Sequence, residues 1–357
     1  MCHVLCVQTT YLPEGELGSS KKEAHLYKVA TSVWCLTDGT VGMRNQTLAL
    51  ASIMKWDQSS AFRDIKATPH PILRHLPRLG RWAPNLPLVQ DQNSPLAKIT
   101  RIKDFPSIMI TCGRRMAGIS VALKTRASSA GADMTTIHLQ DPRLNPAFFD
   151  ILIVPHHDRV RGDNVIVTKA ALNRMSKPLT VDNSNTLPQQ WQKATPPRVA
   201  VMIGGDNRRY KISHEMATHM AQQLAAFAAA NNAKLFLVPS RRCPDNVFQH
   251  LQTALLPDQC MTTNNHQPNL LFSILAMADA VIVTSDSINM ASEAASTGKP
   301  VLIAYWRAET GRIAKFHQTM QNDNHTAPLT KLLPSGPFLA LDESVMIRQQ
   351  ISARLKR

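Results

Sequence analysis

The chain has 357 residues, of which 44% are hydrophobic, so it is long enough for two domains with buried cores and is not a disordered chain. Its formal net charge of +15 attracts polyanions of any kind, whether nucleic acid, anionic lipid or phosphorylated ligands. The sequence contains no apolar run of about eighteen residues, so it predicts no membrane-spanning helix. It also contains no nucleic-acid-binding motif, so we expect no specific nucleic-acid partner.

The N-terminal half alternates strands and helices after a stretch with little pattern. Residues 1–31 lack the features of a signal peptide, and we interpret them as a loose extension of a cytoplasmic protein. Residues 32–180 then predict a first domain, with strands at 33–36, 107–110, 135–139, 151–154 and 165–168. Helices are predicted from about Asn45 and after Gly113. Strand, polar tip and helix in repetition are typical of a doubly wound, Rossmann-like domain.

A polar, proline-punctuated segment interrupts this pattern, and we interpret residues 181–197 as an interdomain linker. The alternation restarts over residues 198–335, with strands predicted at 198–203, 235–238, 280–283 and 301–305. Residues 336–357 predict a C-terminal helix that packs back on the first domain. Two α/β domains of this kind, joined by a linker, place a cleft and a ligand between them.

The most informative stretch is a polar turn between a buried strand and a helix. Thr284, Ser285, Asp286 and Ser287 follow the strand at 280–283 and precede a helix predicted over 288–297, which Gly298 and Pro300 end. In open α/β sheets anionic ligands bind at such a point, because the first N–H groups of the helix and its dipole favour negative charge. An ordinary βαβ unit with polar loop residues fits the same spacing.

Eight separated motifs, taken in order, carry a more specific resemblance. They are W-C-L-T-D-G-T-V-G-M-R-N-Q-T-L-A-L-A (34–51), G-R-R (113–115), Q-D-P-R (140–143), F-D-I-L-I-V-P-H-H-D (149–158), D-N-V-I-V-T-K-A-A-L-N-R (163–174), I-G-G-D-N (203–207), S-R-R (240–242) and T-S-D-S-I-N-M-A-S-E-A-A-S-T-G-K-P-V (284–301). This order resembles the Elongated Mitochondria-type family, named for a plant mitochondrial-fission factor. The resemblance implies a GT-B-like architecture, in which two Rossmann-like domains face a cleft.

The stretch over 284–301 also resembles non-hydrolysing UDP-N-acetylglucosamine 2-epimerases, which share the GT-B fold. Those enzymes usually have two glycines where Ile288 and Asn289 stand here, and the glycines allow a tight backbone approach to phosphate. Three functions therefore stay open. Our main hypothesis, by analogy of fold, is a metal-independent glycosyltransferase that moves a sugar from a nucleotide-diphosphate donor to a cell-envelope acceptor, with no cofactor besides that substrate. The alternatives are a nucleotide-sugar epimerase and a non-catalytic scaffold.

A glycosyl transfer site must hold a diphosphate, hold a sugar or ribose, and supply a base or an electrostatic equivalent. The residues predicted to bind the nucleotide-sugar lie on the second domain and are Gly204, Gly205, Asp206, Arg241, Arg242, Thr284, Ser285, Asp286, Ser287, Met290 and Glu293. Arginine suits bidentate phosphate contact, and Glu293 is placed to bond sugar hydroxyls. A solvated basic loop and a plain tight turn are the alternatives for the arginines and the glycines.

On the first domain, Asp38 is our preferred general base toward an acceptor, with simple capping of its turn as the alternative. His156, His157 and Asp158 form a dense titratable cluster at a strand tip, where one histidine is positioned to act as acid or base. An acceptor or second anion site is predicted at Gly113, Arg114, Arg115, Gln140, Asp141, Arg143 and, on the resemblance alone, Lys315. A structural ion pair is the alternative role of Asp141 and Arg143.

Residues 62–87 place basic side chains beside apolar ones. The basic residues are Arg63, Lys66, Arg74, Arg78 and Arg81, and the apolar residues are Ile72, Leu73, Leu76, Leu79 and Trp82. Such a mixture suits peripheral contact with an anionic membrane at its cytoplasmic face. Five prolines rule out one long amphipathic helix here, so an ordinary surface loop is the alternative.

Overall fold

A computed structural model describes residues 32–355, except for 83–84, 92–93, 95, 97–98, 100–103, 177–188, 208–210, 257–258 and 263–267. The extension predicted over residues 1–31 lies outside the described residues. The described chain contains two parallel sheets of six strands each. The doubly wound α/β class predicted from the alternating pattern is confirmed.

The first sheet has the strand order β2-β1-β3-β4-β5-β6, and its strands are all parallel. The strands are β1 (Val33–Thr37), β2 (Phe62–Lys66), β3 (Ile108–Cys112), β4 (Thr135–Leu139), β5 (Ile151–Pro155) and β6 (Val165–Thr168). The helices of this half are α1 (Val41–Ile53), α2 (Pro71–His75), α3 (Leu79–Trp82) and α4 (Arg114–Ser129). Alternate residues of β1 enter separate cores, Cys35 beside α1 and Leu36 beside α4, because successive side chains of a strand point to opposite faces.

The second sheet has the order β12-β11-β10-β7-β8-β9, again with parallel neighbours. Its strands are β7 (Arg198–Ile203), β8 (Lys234–Pro239), β9 (Cys260–Thr262), β10 (Ala280–Thr284), β11 (Val301–Ala304) and β12 (Ala327–Pro328). The remaining helices are α5 (Gln189–Lys193), α6 (His214–Asn231), α7 (Asp245–Ala254), α8 (Pro268–Met277), α9 (Ile288–Ala295), α10 (Gly311–Asn322) and α11 (Ser344–Leu355). Buried apolar clusters cover both faces of this sheet, as a parallel sheet requires.

The last helix, α11, returns to the first sheet. Ile347 and Ile351 are fully buried in the same cluster as Val33 and Ile110. The Arg348 guanidinium also donates from Nε to the carbonyl oxygen of Ile53 at 3.1 Å. The C-terminal helix therefore packs in the core of the first domain, although it follows the second domain in the chain.

The segment predicted as a linker is partly folded. Its described part contains α5, where Trp191 is fully buried and packs against Phe236 with ring centroids 5.1 Å apart. Residues 181–188 of the same prediction lie outside the described residues. A buried tryptophan therefore anchors the described part of this segment to the second sheet, and the linker and domain boundaries stay a prediction.

The ordinary surface loop left open as an alternative for residues 62–87 does not describe the whole segment. Phe62–Lys66 forms the edge strand β2, and α2 and α3 follow it. Phe62 and Ile65 of β2 are partly buried and its three charged residues are exposed, which suits an edge strand with one neighbour and an exposed side. Pro71 occupies the first position of α2, where its missing N–H costs nothing, and Leu73 is fully buried.

Candidate functional site

The amino end of α9 lies at the carboxyl edge of the second sheet, directly after β10. Ser287 caps the helix, since its Oγ accepts a hydrogen bond from the Met290 N–H at 3.4 Å and its carbonyl oxygen accepts one from Ala291 at 3.1 Å. Among the described residues, the N–H groups of Ile288 and Asn289 have no bonding partner. Unpaired N–H groups and the positive end of the helix dipole are the features with which helix ends favour anions.

The same helix end faces the first domain. A Cβ placed on Gly42, at the start of α1, would lie 2.9 Å from the side-chain nitrogen of Asn289. The amide of Asn173, which follows β6, donates to the Ser292 carbonyl oxygen at 3.2 Å and to the Ser296 hydroxyl at 3.0 Å. The amino ends of α1 and α9 therefore meet where the two domains face each other.

Asp286 lies inside the second domain and does not face a ligand. Its side chain is 0% exposed, and its carboxylate accepts hydrogen bonds from Thr284 Oγ1 at 2.7 Å, Trp306 Nε1 at 3.1 Å and Gly205 N at 3.1 Å. Both oxygens are thus occupied by internal donors. The prediction that Asp286 and Thr284 contact a nucleotide-sugar is corrected to a positioning role, since the pair holds the turn together.

The glycine turn after β7 is required by packing within the protein. A Cβ on Gly204 would overlap the carboxylate of Asp286, and a Cβ on Gly205 would overlap the carbonyl oxygen of Arg242. The Arg242 guanidinium also lies 3.6 Å from the same carboxylate. These close approaches explain the two glycines without a ligand, so the plain tight turn left open by the sequence fits the structure.

Asp206 is bonded within its own loop, whereas Arg241 is unpaired. The Asp206 carboxylate accepts hydrogen bonds from the Ile212 N–H and from Lys211 Nζ, both at 3.0 Å, and these bonds hold the pKa of Asp206 below its usual value. Asp206 therefore orders its own loop. Arg241 is exposed at the tip of β8, and its guanidinium has no partner in the described part of the chain. It stays available for an anion.

Glu293 occupies an unusual environment on α9. It is half-buried, and its carboxyl has neither a hydrogen-bond nor an ion-pair partner among the described residues. Burial raises its pKa from 4.5 to about 7. A carboxyl that titrates near neutrality and has all its bonding capacity free suits contact with hydroxyl groups, which both donate and accept.

A second group of unpaired polar atoms lies beneath the turn. The Ser285 Oγ and the His317 Nδ1 are both buried without a partner. The His317 Nε2 bonds the Ser285 carbonyl oxygen at 2.9 Å, so Nε2 carries the proton and Nδ1 is left as an acceptor. Burial lowers the pKa of His317. Buried polar atoms without partners are uncommon in native proteins, and they mark a place where a water or a ligand group completes the bonding.

Asp38 is engaged by its own turn and by a basic neighbour. Its carboxylate accepts hydrogen bonds from the Thr40 N–H at 3.0 Å and from Arg115 Nη1 at 3.2 Å. Burial alone would raise the pKa of Asp38, but these bonds and the Arg115 charge outweigh it and lower the pKa. A carboxylate stabilised in its ionised form is a weak base, so the geometry favours the capping role over general base catalysis.

His156, His157 and Asp158 do not converge on one point. His156 is exposed, whereas the His157 ring packs edge-on against Phe316 of α10 at 5.7 Å. Burial lowers the pKa of His157 to about 4, and its Nδ1 is buried without a partner. Asp158 is 7% exposed and accepts a hydrogen bond from Arg312 Nη1 at 2.8 Å. Asp158 thus forms an ion pair between the domains, which corrects its predicted catalytic role.

At the second predicted anion site, Asp141 and Arg143 form the structural ion pair left open by the sequence. The Arg143 Nε lies 3.2 Å from Asp141 Oδ2, and the Arg143 N–H donates to Oδ1 at 2.8 Å. Gln140 and Arg143 both have left-handed backbone angles, with φ of 71° and 59°. These residues therefore shape the tip of β4, and no ligand is required to explain them.

Two basic residues of that predicted site remain unpaired in the described chain. Gly113 precedes α4 with φ of 82° and ψ of 158°, a conformation that only glycine adopts readily. Arg114 follows it at the helix start and is exposed without a partner, and Lys315 is exposed on α10. Within the described ranges, no group of three or more His, Cys, Asp or Glu residues is placed to hold a metal ion.

Sequence reasoning missed several residues that build the site. Asn289 was noted only as a replacement for glycine, while Asn173, Trp306 and Arg312 were not singled out. Asn173 and Arg312 bond residues 119 and 154 positions away, and Trp306 bonds a residue 20 positions away. No local pattern predicts such partners.

Two parallel Rossmann-like domains with opposed helix ends define a GT-B-type protein. The solved structures with a similar fold include the UDP-GlcNAc 2-epimerase of Methanocaldococcus jannaschii, with a TM-score of 0.58, 8% sequence identity and coverage of 91% of this chain and 100% of that chain. The same epimerase in complex with UDP-GlcNAc and UDP gives a TM-score of 0.53 at 10% identity, covering 91% of this chain and 99% of that chain. The predicted GT-B-like architecture is confirmed.

The chain belongs to the mitochondrial fission ELM1 family, whose model matches residues 41–355. The mitochondrial fission protein ELM1 of Arabidopsis thaliana is 26% identical over 251 residues, which is 63% of this chain and 58% of the plant protein. An uncharacterised protein of Rickettsia prowazekii is 24% identical over 313 residues, covering 77% of this chain and 83% of that protein. The chain thus spans less than two thirds of the plant relative. The predicted family is confirmed.

Proposed function

We propose that the cleft between the two domains binds a nucleoside diphosphate sugar, and that the protein transfers the sugar to an acceptor without a metal. The observation that carries this proposal is the amino end of α9, where the unpaired N–H groups of Ile288 and Asn289 face the start of α1. The similar fold of an epimerase solved with UDP-GlcNAc and UDP supports the same class of ligand.

The diphosphate would lie at the start of α9. The Ser287 hydroxyl accepts one bond from the helix, so its own hydrogen is free to donate to a phosphate oxygen. Arg241 would add a bidentate, charged contact from the neighbouring strand tip. Glu293, one turn further along α9, would bond the ribose hydroxyls.

Transfer requires that negative charge on the departing diphosphate be stabilised as the glycosidic bond breaks. The helix end and Arg241 would provide fixed positive charge for this purpose. The acceptor hydroxyl must also lose its proton. His157 is our candidate to receive that proton because its Nδ1 is unpaired, whereas Asp38 and Asp158 are both engaged.

Epimerisation of a nucleotide-sugar is the second candidate, and the fold similarity to UDP-GlcNAc 2-epimerases favours it. Against it stand Ile288 and Asn289, which occupy the place where epimerases usually have glycines. The Asn289 side chain fills space next to Gly42 that a glycine would leave open. Sugar transfer also asks for fewer acid and base groups than proton abstraction from a sugar carbon.

Calorimetric titration with UDP, GDP, ADP and CMP tests the binding step. The proposal predicts saturable binding of at least one nucleoside diphosphate, and weaker binding after Arg241→Ala. Lys331→Ala is the matched control, since Lys331 is exposed and its backbone bonds Asn231 at the carboxyl end of α6, away from the cleft. Binding of none of the four would support the scaffold alternative instead.

Incubation with UDP-sugars in the absence of an acceptor then separates the two enzymes. An epimerase converts the sugar to its epimer without an acceptor, and the change is visible by NMR. A transferase leaves the sugar configuration unchanged or releases it slowly by hydrolysis. Epimer formation at enzyme-like rates would refute the transfer hypothesis while leaving nucleotide-sugar binding intact.

A further inference from the structure

The segment that contains α2 and α3 presents large apolar side chains to solvent. Ile72 is 39% exposed, Leu76 is 60% exposed and Trp82 is 76% exposed. A single exposed leucine is ordinary, but three such side chains within one short segment form a patch that marks an interaction surface. We call this surface, together with its neighbouring arginines, the α2–α3 face.

The charge of the α2–α3 face is uniformly positive. Arg74, Arg78 and Arg81 are all exposed, and none has a carboxylate partner among the described residues. The sequence holds no Asp or Glu from Ile65 to Gln90. A partner of complementary charge is therefore anionic, and the exposed apolar groups require that it also have an apolar layer.

The α2–α3 face is preformed rather than loose. A Cβ on Gly80 would overlap the Gly118 carbonyl oxygen, and a Cβ on Gly118 would overlap the Leu73 carbonyl oxygen. The backbones of α2 and α3 thus lie directly against α4. Leu73 is fully buried beneath them, and the Arg81 guanidinium is held 5.3 Å from the centre of the Phe148 ring.

One end of the α2–α3 face lies near the carboxyl edge of the first sheet. Gly118 is in the first turns of α4, which begins at the carboxyl end of β3, so the contact is about 6 Å along the helix from that edge. Phe148 lies three residues before β5, at the opposite, amino edge of the sheet, so the α2–α3 face runs along α4 from one edge toward the other.

We propose that the α2–α3 face docks the protein on the surface of a bilayer that contains anionic phospholipid. The arginines contact the headgroups, and Trp82 and Leu76 enter the boundary between headgroups and acyl chains, where tryptophan is favoured. Among the described residues, no helix has both the length and the apolar character needed to cross a bilayer. The proposal does not depend on the proposed enzymatic function.

Vesicle flotation with the full chain tests the charged half of the face. The vesicles contain equal parts of phosphatidylcholine and phosphatidylglycerol, and phosphatidylcholine alone serves for comparison. Because each basic residue near such a surface contributes about 1 kcal/mol, Arg74→Glu with Arg78→Glu lowers the partition coefficient at least about 30-fold. Lys193→Glu with Lys331→Glu makes the same change in net charge elsewhere on the surface and retains most of the binding.

A double variant and a matched control test the apolar residues of the α2–α3 face. Leu76→Ser with Trp82→Ser is expected to weaken binding, whereas Leu332→Ser with Leu339→Ser leaves it unchanged, although those leucines are 62% and 55% exposed. Circular dichroism confirms that each variant is folded. If a variant of the α2–α3 face and its control lose vesicle binding equally, the proposal is overturned. Binding would then depend on the total charge or the total apolar surface of the protein.

An RNA gel shift with the same variants addresses the other polyanion. If Arg74→Glu with Arg78→Glu abolishes binding of a mixed RNA while vesicle binding persists, the face is a nucleic-acid surface and the proposal fails. Loss of vesicle binding in the variant, with RNA binding unchanged from the lysine control, supports it.

Discussion

The free energy of unfolding should depend on pH through Glu293. Its pKa is about 7 in the folded protein and 4.5 as an ordinary side chain. The difference of about 2.5 units corresponds to about 3 kcal/mol, at about 1.4 kcal/mol per unit. Below pH 4.5 the Glu293 carboxyl is protonated in both the folded and the unfolded protein, so it costs no stability. Above its folded pKa it is ionised in both states, and the folded protein loses the full amount of about 3 kcal/mol. Stability therefore falls as the pH rises from 4.5 to about 7.

The variant Glu293→Gln removes this loss, because an amide is neutral at every pH. Urea unfolding at pH 5 and pH 8 should show the variant more stable than the parent by up to about 3 kcal/mol at the higher pH and by little at the lower. Glu215→Gln is the control, because Glu215 is exposed in the first turn of α6. Removing its charge should lower the free energy of unfolding by less than about 1 kcal/mol, whereas Glu293→Gln should raise it. Parallel pH profiles for the parent and Glu293→Gln would refute the reasoning.

The other expected outcomes concern the ligand and the turn that supports it. Arg241→Ala should weaken UDP binding about 10- to 100-fold, the loss of a charged hydrogen bond, while Lys331→Ala leaves the dissociation constant unchanged by calorimetry. A dissociation constant that is equal in both variants would exclude Arg241 from the site. Gly204→Ala should destabilise the protein by about 3 kcal/mol in urea unfolding, because the new methyl group overlaps Asp286. Gly162→Ala, with its nearest atom 3.4 Å away and no left-handed angle, should be nearly neutral, and a similar loss there would contradict the packing argument.

Much of the fold follows from local patterns. The strand β10 and the helix α9 are short-range features, since a buried β-branched run, the Ser287 cap and Gly298 with φ of 70° all lie within nineteen residues of one another, from 280 to 298. The resemblance over separated motifs added the GT-B arrangement. The edge strand β2 is hard to predict because three of its five residues are charged, and the adjacent Arg63 and Asp64 resemble loop residues.

The site is harder to predict because the role of each side chain depends on hydrogen-bond partners that are distant in the sequence. Asp286 and Glu293 are both acidic residues near one polar turn, and the sequence does not separate them. Asp286 accepts hydrogen bonds from Trp306 Nε1 and the Gly205 N–H, whereas Glu293 has no partner in the described chain. That difference depends on which groups the fold brings to each carboxyl, and it appears only in three dimensions.

The most direct test of the account is a crystal structure with UDP-GlcNAc or UDP bound. The account predicts diphosphate density within hydrogen-bonding distance of the N–H groups of Ile288 and Asn289, with the ribose beside Glu293 and the sugar toward α1. Nucleotide bound elsewhere, or a saturated crystal whose density at the start of α9 is only water, would contradict it.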